Sequence, residues 1–378
     1  MNVVIPCFGG LEPLPPALTL ISLLEKGGHT VSVVTLFEER YEKEKIFGER
    51  VHISHILDSR MPVCKDLRVR EYLRRIDELR RKIYVKKIYQ MIAREMKKEN
   101  SVLWILHEVS LEYLGEKIKN YKYIITIYEL DRHLLENKKV INLIKHAHQV
   151  VVPEYNRAHL ARGLLGLKRL PLVIPNKPSY HPEERMLPIT DSEMLRKLQS
   201  IKSTGKKIVL YMGIMNPSRK LDTFIEAYTD SDKYELVIMG KKAPYLEELQ
   251  KKYKGKFTYI GYLPAPNHLD VASYADIGVL VYIPEKNSIN SAFCAPNKLF
   301  EYGGFGIPCL CNDVPGLRSQ VMVTGCGLCT DIENKIDILE KTDQIMQDYD
   351  KYSQKIFDYY QSFDMEELVQ FVLKDYQS

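Results

Sequence analysis

The sequence predicts two doubly wound α/β domains in one chain. Three observations carry that reading: its length, short apolar runs alternating with helical stretches in each half, and glycine turns placed directly after the first run of each half. At 378 residues the chain exceeds one ordinary core and suits two domains of about 150 to 200 residues. With 45% apolar and 27% charged residues it has the make-up of a globular chain rather than a disordered one.

In the first half, Asn2 to Cys7 is an apolar run ending in Gly9 and Gly10. Pro15 to Lys26 has helical spacing, Gly27 and Gly28 close it, and Thr30 to Leu36 is rich in β-branched residues. That is strand, turn, helix, strand, the opening of a parallel unit. Further strands are expected at Val102 to Leu106, Tyr123 to Tyr128, Gln149 to Val152 and Leu172 to Ile174, which ends a first domain at 1–178.

The polar stretch 179–205, with Pro182 and Pro188, reads as a linker. A second domain, 206–350, repeats the alternation with strands at Lys207 to Met212, Glu235 to Met239, Phe257 to Ile260, Ile277 to Val281, Cys309 to Cys311 and Gly327 to Cys329. Lys335 to Gln377 reads as helices, and 351–378 is expected to pack back towards the first domain. Two such halves imply a cleft, because ligands of open parallel sheets bind beyond the carboxyl ends of the strands.

Composition narrows the partners. No apolar run reaches the roughly 18 residues of a membrane span, and no leader pattern opens the chain, so a cytoplasmic protein is expected. Seven cysteines, several inside strands, fit reduced thiols. A net charge of +5 is too small over this length to argue for nucleic acid. The charge is concentrated, however: residues 65–98 hold 13 Lys or Arg against five Asp or Glu. There Leu67, Leu73, Ile76, Leu79, Ile83, Ile88 and Ile92 recur at helical spacing between Arg74, Arg75, Arg80, Arg81, Lys82, Lys86 and Lys87. One face is expected to pack on the domain, and the cationic face either is solvated or rests on anionic lipid.

Two stretches suit a diphosphate. In Ala295 to Pro308, Pro296 fits the first turn of a helix, whose unpaired N–H groups attract anions; Asn297 and Lys298 follow, and Glu301 one turn on has a ribose within its chemistry. The other reading of that stretch is an amphipathic helix with Lys298 and Glu301 solvated. The strand Lys207 to Met212 runs into Gly213 and then Arg219 and Lys220, a turn with two cations at a strand's carboxyl end.

The order Gly213, Arg219, Asp222, Ala227, then Ile238-Met239-Gly240, Ile260-Gly261-Tyr262 and NKLFEYGGFGIPCL resembles the nucleotide-binding half of retaining GT-B glycosyltransferases of family 4, over about Ile208 to Thr330. The first half is similar at Phe8-Gly9-Gly10 and at Val173-Ile174-Pro175-Asn176. The resemblance implies a GT-B architecture, two Rossmann-like domains facing across a cleft, with a UDP- or GDP-sugar held by the second domain and transfer to an acceptor hydroxyl. It implies no cofactor and no metal, with cations stabilising the departing diphosphate. Arg219 matches the family's diphosphate lysine and Glu301 its ribose glutamate. The implied donor-binding set is Gly9, Gly10, Gly213, Arg219, Lys220, Asn297, Lys298, Leu299 and Glu301.

Two positions depart from the pattern: Ile214 stands where the family has an arginine, and Phe293 where it has a sugar-binding glutamate. In the first half, the family's sugar-facing histidine has candidates in His107, beside Glu108, and in Tyr128 with Glu129; a surface histidine or a packed tyrosine is the alternative for each. Asp131 and His133 lie close in sequence. Asp230-Ser231-Asp232 reads as a solvated turn, and the Cys309/Cys311 and Cys326/Cys329 spacings as packed thiols rather than a metal site. A polyprenyl-linked glycan acceptor at the inner membrane face, in surface or capsular polysaccharide assembly, follows from the resemblance. A non-catalytic partner subunit and a sugar-nucleotide epimerase are the alternatives.

Overall fold

The computed structural model describes residues 1–8, 11, 14–37, 46–57, 67–284 and 289–377. Contacts divide the chain into two units, Met1–Ser179 with Asp364–Ser378, and Tyr180–Phe363.

Among the described residues of the first unit, seven strands form one parallel sheet: β1 (Asn2–Cys7), β2 (Thr30–Phe37), β3 (Val51–Leu57), β4 (Ser101–Leu106), β5 (Ile124–Thr126), β6 (Gln149–Val152) and β7 (Leu172–Val173). Their order is β3-β2-β1-β4-β5-β6-β7. A parallel sheet is covered on both faces, which is why Val3, Val4, Ile5 and Cys7 are all fully buried in one unbroken run. Helix Pro15–Lys26 starts on a proline and buries Ala17, Leu20, Ile21, Leu23 and Leu24. The C-terminal helix Met365–Gln377 belongs to this unit: Tyr376 donates to the Lys122 carbonyl at 2.7 Å, and Gln370 meets His29 at 2.9 Å. Strand β3 is absent from the sequence expectation, because an edge strand carrying His52, Ser54 and His55 lacks an apolar run.

The basic segment is a helix, Leu67–Glu95, but its buried stripe differs from the expected one. Tyr84, Ile88 and Ile92 are buried, whereas Leu79 and Ile83 are 60% and 51% exposed. Tyrosine at position 84 takes the core register that the aliphatic spacing assigned to Ile83. Lys65 and the side chains of Arg74, Arg75, Arg80 and Arg81 lie outside the described residues.

The second unit has, among its described residues, β8 (Lys207–Met212), β9 (Tyr234–Met239), β10 (Thr258–Gly261), β11 (Ile277–Leu280), β12 (Cys309–Asn312) and β13 (Gly327–Thr330) in the parallel order β10-β9-β8-β11-β12-β13. Ile208, Leu210 and Met212 enter one core and Val209 and Tyr211 the other, the two faces of one strand. Tyr302 packs on Gly278, where a Cβ would lie 2.3 Å from its ring, and donates to the Leu210 carbonyl at 2.9 Å. Where a linker is expected, Ser192–Ser203 is a helix: the Asp191 carboxylate accepts the Glu193 and Met194 N–H groups at 3.0 Å each, and Met194, Leu198 and Ile201 join the core. The helix Tyr349–Gln361 also lies in this unit, so the expected grouping of 351–361 with the chain terminus gives way to a split at Asp364.

Strand order reverses between β1 and β4 in the first sheet and between β8 and β11 in the second. Such switch points are where open α/β sheets leave room for a ligand.

Candidate functional site

At the switch point of the second sheet, Gly213 follows β8 and Val281-Tyr282 follows β11. Arg219 ends a short 3-10 turn, Pro217–Arg219, and its guanidinium reaches back to donate to the Val281 carbonyl at 2.6 Å. The same guanidinium lies 4.7 Å from the centre of the Tyr282 ring, and its Nε is buried without a partner among the described residues. A buried donor left over on a half-buried arginine is the unspent hydrogen-bonding capacity that an anion uses.

Lys298 closes over Gly213: a Cβ on that glycine would meet Lys298 Nζ at 3.0 Å. Burial, with the charge of Arg219 adding and Glu301 opposing, holds the Lys298 amine below its ordinary value. Glu301 Oε1 stands 3.3 Å from His268 Nε2, and the Glu301 carbonyl is 2.8 Å from His181 Nε2. Burial alone would raise the Glu301 carboxyl. The hydrogen bond and charge of His268 and the charges of Lys298 and His181 outweigh it and keep the group below the usual carboxylate value. An ionised carboxylate with one oxygen already partnered is suited to accept from vicinal hydroxyls.

The structure therefore brings Gly213, Arg219, Lys298 and Glu301 together and leaves other expected residues elsewhere. Lys220 has a left-handed backbone and its ammonium pairs with Glu333, so the expected pair of cations on one loop is a single arginine, with Lys298 supplying the second charge. Leu299 is core, 1% exposed. Pro296 is the residue before the helix, which runs only Asn297–Gly303; so short a helix contributes little dipole, and the charge of the site resides in side chains. Ile214 is 65% exposed, and Phe293 is half-buried with its N–H donating to the Ile289 carbonyl. Gly9 and Gly10 lie outside the described residues.

Sequence reasoning missed His268, His181 and Tyr282. His181 packs against Gly304, where a Cβ would lie 2.5 Å from its ring, so the glycine pair of the NKLFEYGG stretch was a legible signal that some group presses on that helix end. Nothing in spacing pointed to His268.

In the first unit, His107 follows β4 at the other switch point with a left-handed backbone, φ +69°. Its Nδ1 accepts the Val109 N–H at 3.3 Å, which places the ring proton on Nε2, and burial lowers its pKa against the opposing charge of Asp131. His107 thus offers a neutral N–H donor rather than a base. Glu108 is 4% exposed, its Oε2 has no partner among the described residues, and burial, with the charges of Asp131 and Glu129 adding, pushes its carboxyl up to about 8. Tyr128 lies 6.3 Å from the His107 ring, and burial holds its phenol far above the normal range, so it remains protonated. Its carbonyl accepts from the buried Arg157, whose guanidinium is 3.9 Å from the half-exposed Glu129. Asp131 caps the helix Arg132–Glu136 through the Leu134 N–H at 2.8 Å. His133 turns to Glu112 at 3.0 Å on the surface and takes no part. Asp230 pairs with Lys256 at 3.1 Å in an open turn.

Residues 195–360 match the family model for glycosyl transferases group 1. None of the curated proteins is similar enough in sequence to match. Among solved structures the chain is similar to HepE of Anabaena in complex with UDP, at 14% identity and a TM-score of 0.70, covering 99% of each chain. The same protein is solved with UDP-glucose. Sucrose-phosphate synthase of Thermosynechococcus elongatus is similar at 14% identity, TM-score 0.66, over 99% of this chain and 98% of that one. WaaG, a glycosyltransferase involved in lipopolysaccharide biosynthesis, is similar at 12% identity, TM-score 0.60, over 98% of each. At such identities the likeness establishes the fold: two α/β units built as in these proteins.

Proposed function

We propose that the chain is a retaining glycosyltransferase of the family 4 kind, moving a sugar from a UDP- or GDP-sugar to an acceptor hydroxyl. The observation that carries this is the convergence of Arg219, Lys298 and Glu301 around Gly213 and Tyr282 at the switch point of the second sheet. The group 1 match over this unit and the UDP and UDP-glucose bound by HepE support the donor class.

As the bond from sugar to diphosphate breaks, negative charge grows on the departing oxygens. Arg219 and Lys298 are already in place, partly desolvated, and need no reorganisation to meet that charge. This is the basis for a reaction that needs no metal. Glu301 holds the ribose and so fixes the diphosphate beneath the cations. The first unit takes the acceptor, with His107 donating from Nε2 and Glu108, neutral at pH 7, able to donate from its carboxyl.

The acceptor is a glycan on a polyprenyl carrier in surface or capsular polysaccharide assembly, with the protein on the cytoplasmic face of the membrane. WaaG's involvement in lipopolysaccharide biosynthesis supports that setting. Exposed Leu79 and Ile83 beside exposed Lys82, Lys86 and Lys87 support contact with anionic lipid, and no described helix is long and apolar enough to cross a membrane. Incubation with a panel of sugar nucleotides, with the anomeric configuration of the product read by NMR, tests the proposal; an inverted product removes retention, and no turnover with any donor removes transfer. Ile214 and Phe293 favour a second reading, a nucleotide-binding partner subunit, which predicts UDP binding without turnover.

A further inference from the structure

We propose that Cys311 and Cys329 form a thiol pair that a small-molecule disulfide, such as that of glutathione, oxidises to an intrachain disulfide, and that the oxidised bond loosens the donor pocket. The two residues are direct partners in the β12–β13 register, with their Sγ atoms 3.7 Å apart. Neighbouring strands lie about 4.8 Å apart, inside the Cα separation a disulfide accepts. Among the described strands β13 is the last of the sheet, with β12 as its neighbour, so closing the two sulfurs pulls directly on the end of β12.

The pair is chemically asymmetric. Cys329 is partly exposed; the hydrogen bond from Cys311, with the charge of Arg318 adding, lowers its pKa against partial burial and Asp313. Cys311 is fully buried behind it and held well above the ordinary thiol range by burial. The other described cysteines are buried too, and burial raises Cys309 and Cys326. Thus Cys329 is the attacking sulfur and Cys311 the resolving one. The Cys329 thiolate displaces one thiolate from the oxidant, giving a mixed disulfide. Cys311 loses its proton to the departing thiolate and attacks Cys329 Sγ, expelling the second half of the oxidant as a thiolate, which takes up the proton that Cys329 released. Two protein thiols and one small disulfide become one protein disulfide and two small thiols.

The consequence runs through the next residue. Asn312 accepts the Tyr282 N–H at 2.8 Å and donates to the Tyr282 carbonyl at 2.8 Å, and Tyr282 carries the Arg219 guanidinium on its ring. Drawing the end of β12 towards β13 shifts Asn312 and with it the seat of Arg219.

The test treats the full chain with glutathione disulfide, blocks free thiols with iodoacetamide and maps the peptides, while calorimetry follows UDP. Expected are a Cys311–Cys329 crosslink and a fall in UDP affinity of about tenfold, reversed by dithiothreitol. Cys329→Ser should keep its UDP affinity under oxidant, and Cys311→Ser should stop at a glutathione adduct on Cys329. Both cysteines alkylated after oxidant, or a crosslink with unchanged UDP affinity, overturns the proposal. The effect on UDP rests on the donor reading above; if the reduced chain binds no UDP, that reading fails, while the crosslink still decides the thiol chemistry.

Discussion

A Cβ on Gly213 would stand 2.8 Å from Lys298 Cε and 3.0 Å from its Nζ, so the glycine and the lysine share one small volume at the carboxyl end of β8. Gly213 also has φ +144°, in the region that favours glycine. Gly213→Ala should therefore act twice. Backbone strain should lower stability by about 1–3 kcal/mol in urea unfolding. Displacement of the Lys298 ammonium should also weaken UDP binding by calorimetry. A destabilised variant with undiminished UDP affinity would separate Lys298 from the diphosphate.

Glu301→Gln removes the charge that His268 and Lys298 gather around. UDP affinity should fall by about 1.5–3 kcal/mol if the ribose bonds are charge-assisted. The pH dependence of stability has a definite sign. The folded Glu301 pKa lies below the ordinary carboxyl value of 4.5, so its contribution is full above that value and lost as pH falls through the folded pKa. The stability gap between wild type and variant should be largest near neutrality and close in acid. A gap that widens below pH 4 would show that the carboxyl is not held ionised.

Much of the fold was legible because buried parallel strands are apolar runs, as at Asn2–Cys7 and Lys207–Met212, and because glycines follow them in the sequence. Strand Val51–Leu57 was not, since His52, Ser54 and His55 are exposed and break the apolar pattern. The helix Ser192–Ser203 was hidden by polar residues on its outer face, although Asp191 is a regular capping residue. Of the residues the sequence singled out, Arg219 and Glu301 lie near Gly213 and Lys298, whereas the direction of Lys220 is set by a left-handed backbone and by Glu333, far away in sequence. His268 and Asn312 owe their places to tertiary packing alone.

The long basic helix makes a separate prediction. Lys82, Lys86 and Lys87 are exposed beside Leu79 and Ile83, so replacing the three lysines by glutamate should weaken sedimentation with phosphatidylserine vesicles. Each charge near such a surface is worth about 1 kcal/mol, an effect that salt screens. Wild-type binding should thus fall as salt rises, with little left in the variant. Equal binding of both proteins at low salt would return this face to solvent.

Glu108 gives the last prediction, and its sign is opposite to that of Glu301. Its carboxyl ionises near pH 8 in the folded chain against 4.5 for the unfolded group. Between those values the unfolded chain holds fewer protons, so stability falls as pH rises from 4.5 to 8 and levels off beyond. The slope from this one group is at most about 1.4 kcal/mol per pH unit. Glu108→Gln keeps the shape of the neutral acid and cannot ionise. It should match wild type in acid and exceed it increasingly towards pH 8, as read by urea unfolding at a series of pH values. Because the neutral acid is also the form that can donate a hydrogen bond beside His107, a wild-type protein showing no such slope would mean that Glu108 is already ionised at neutral pH. The first unit would then present a carboxylate, not a donor, to its ligand.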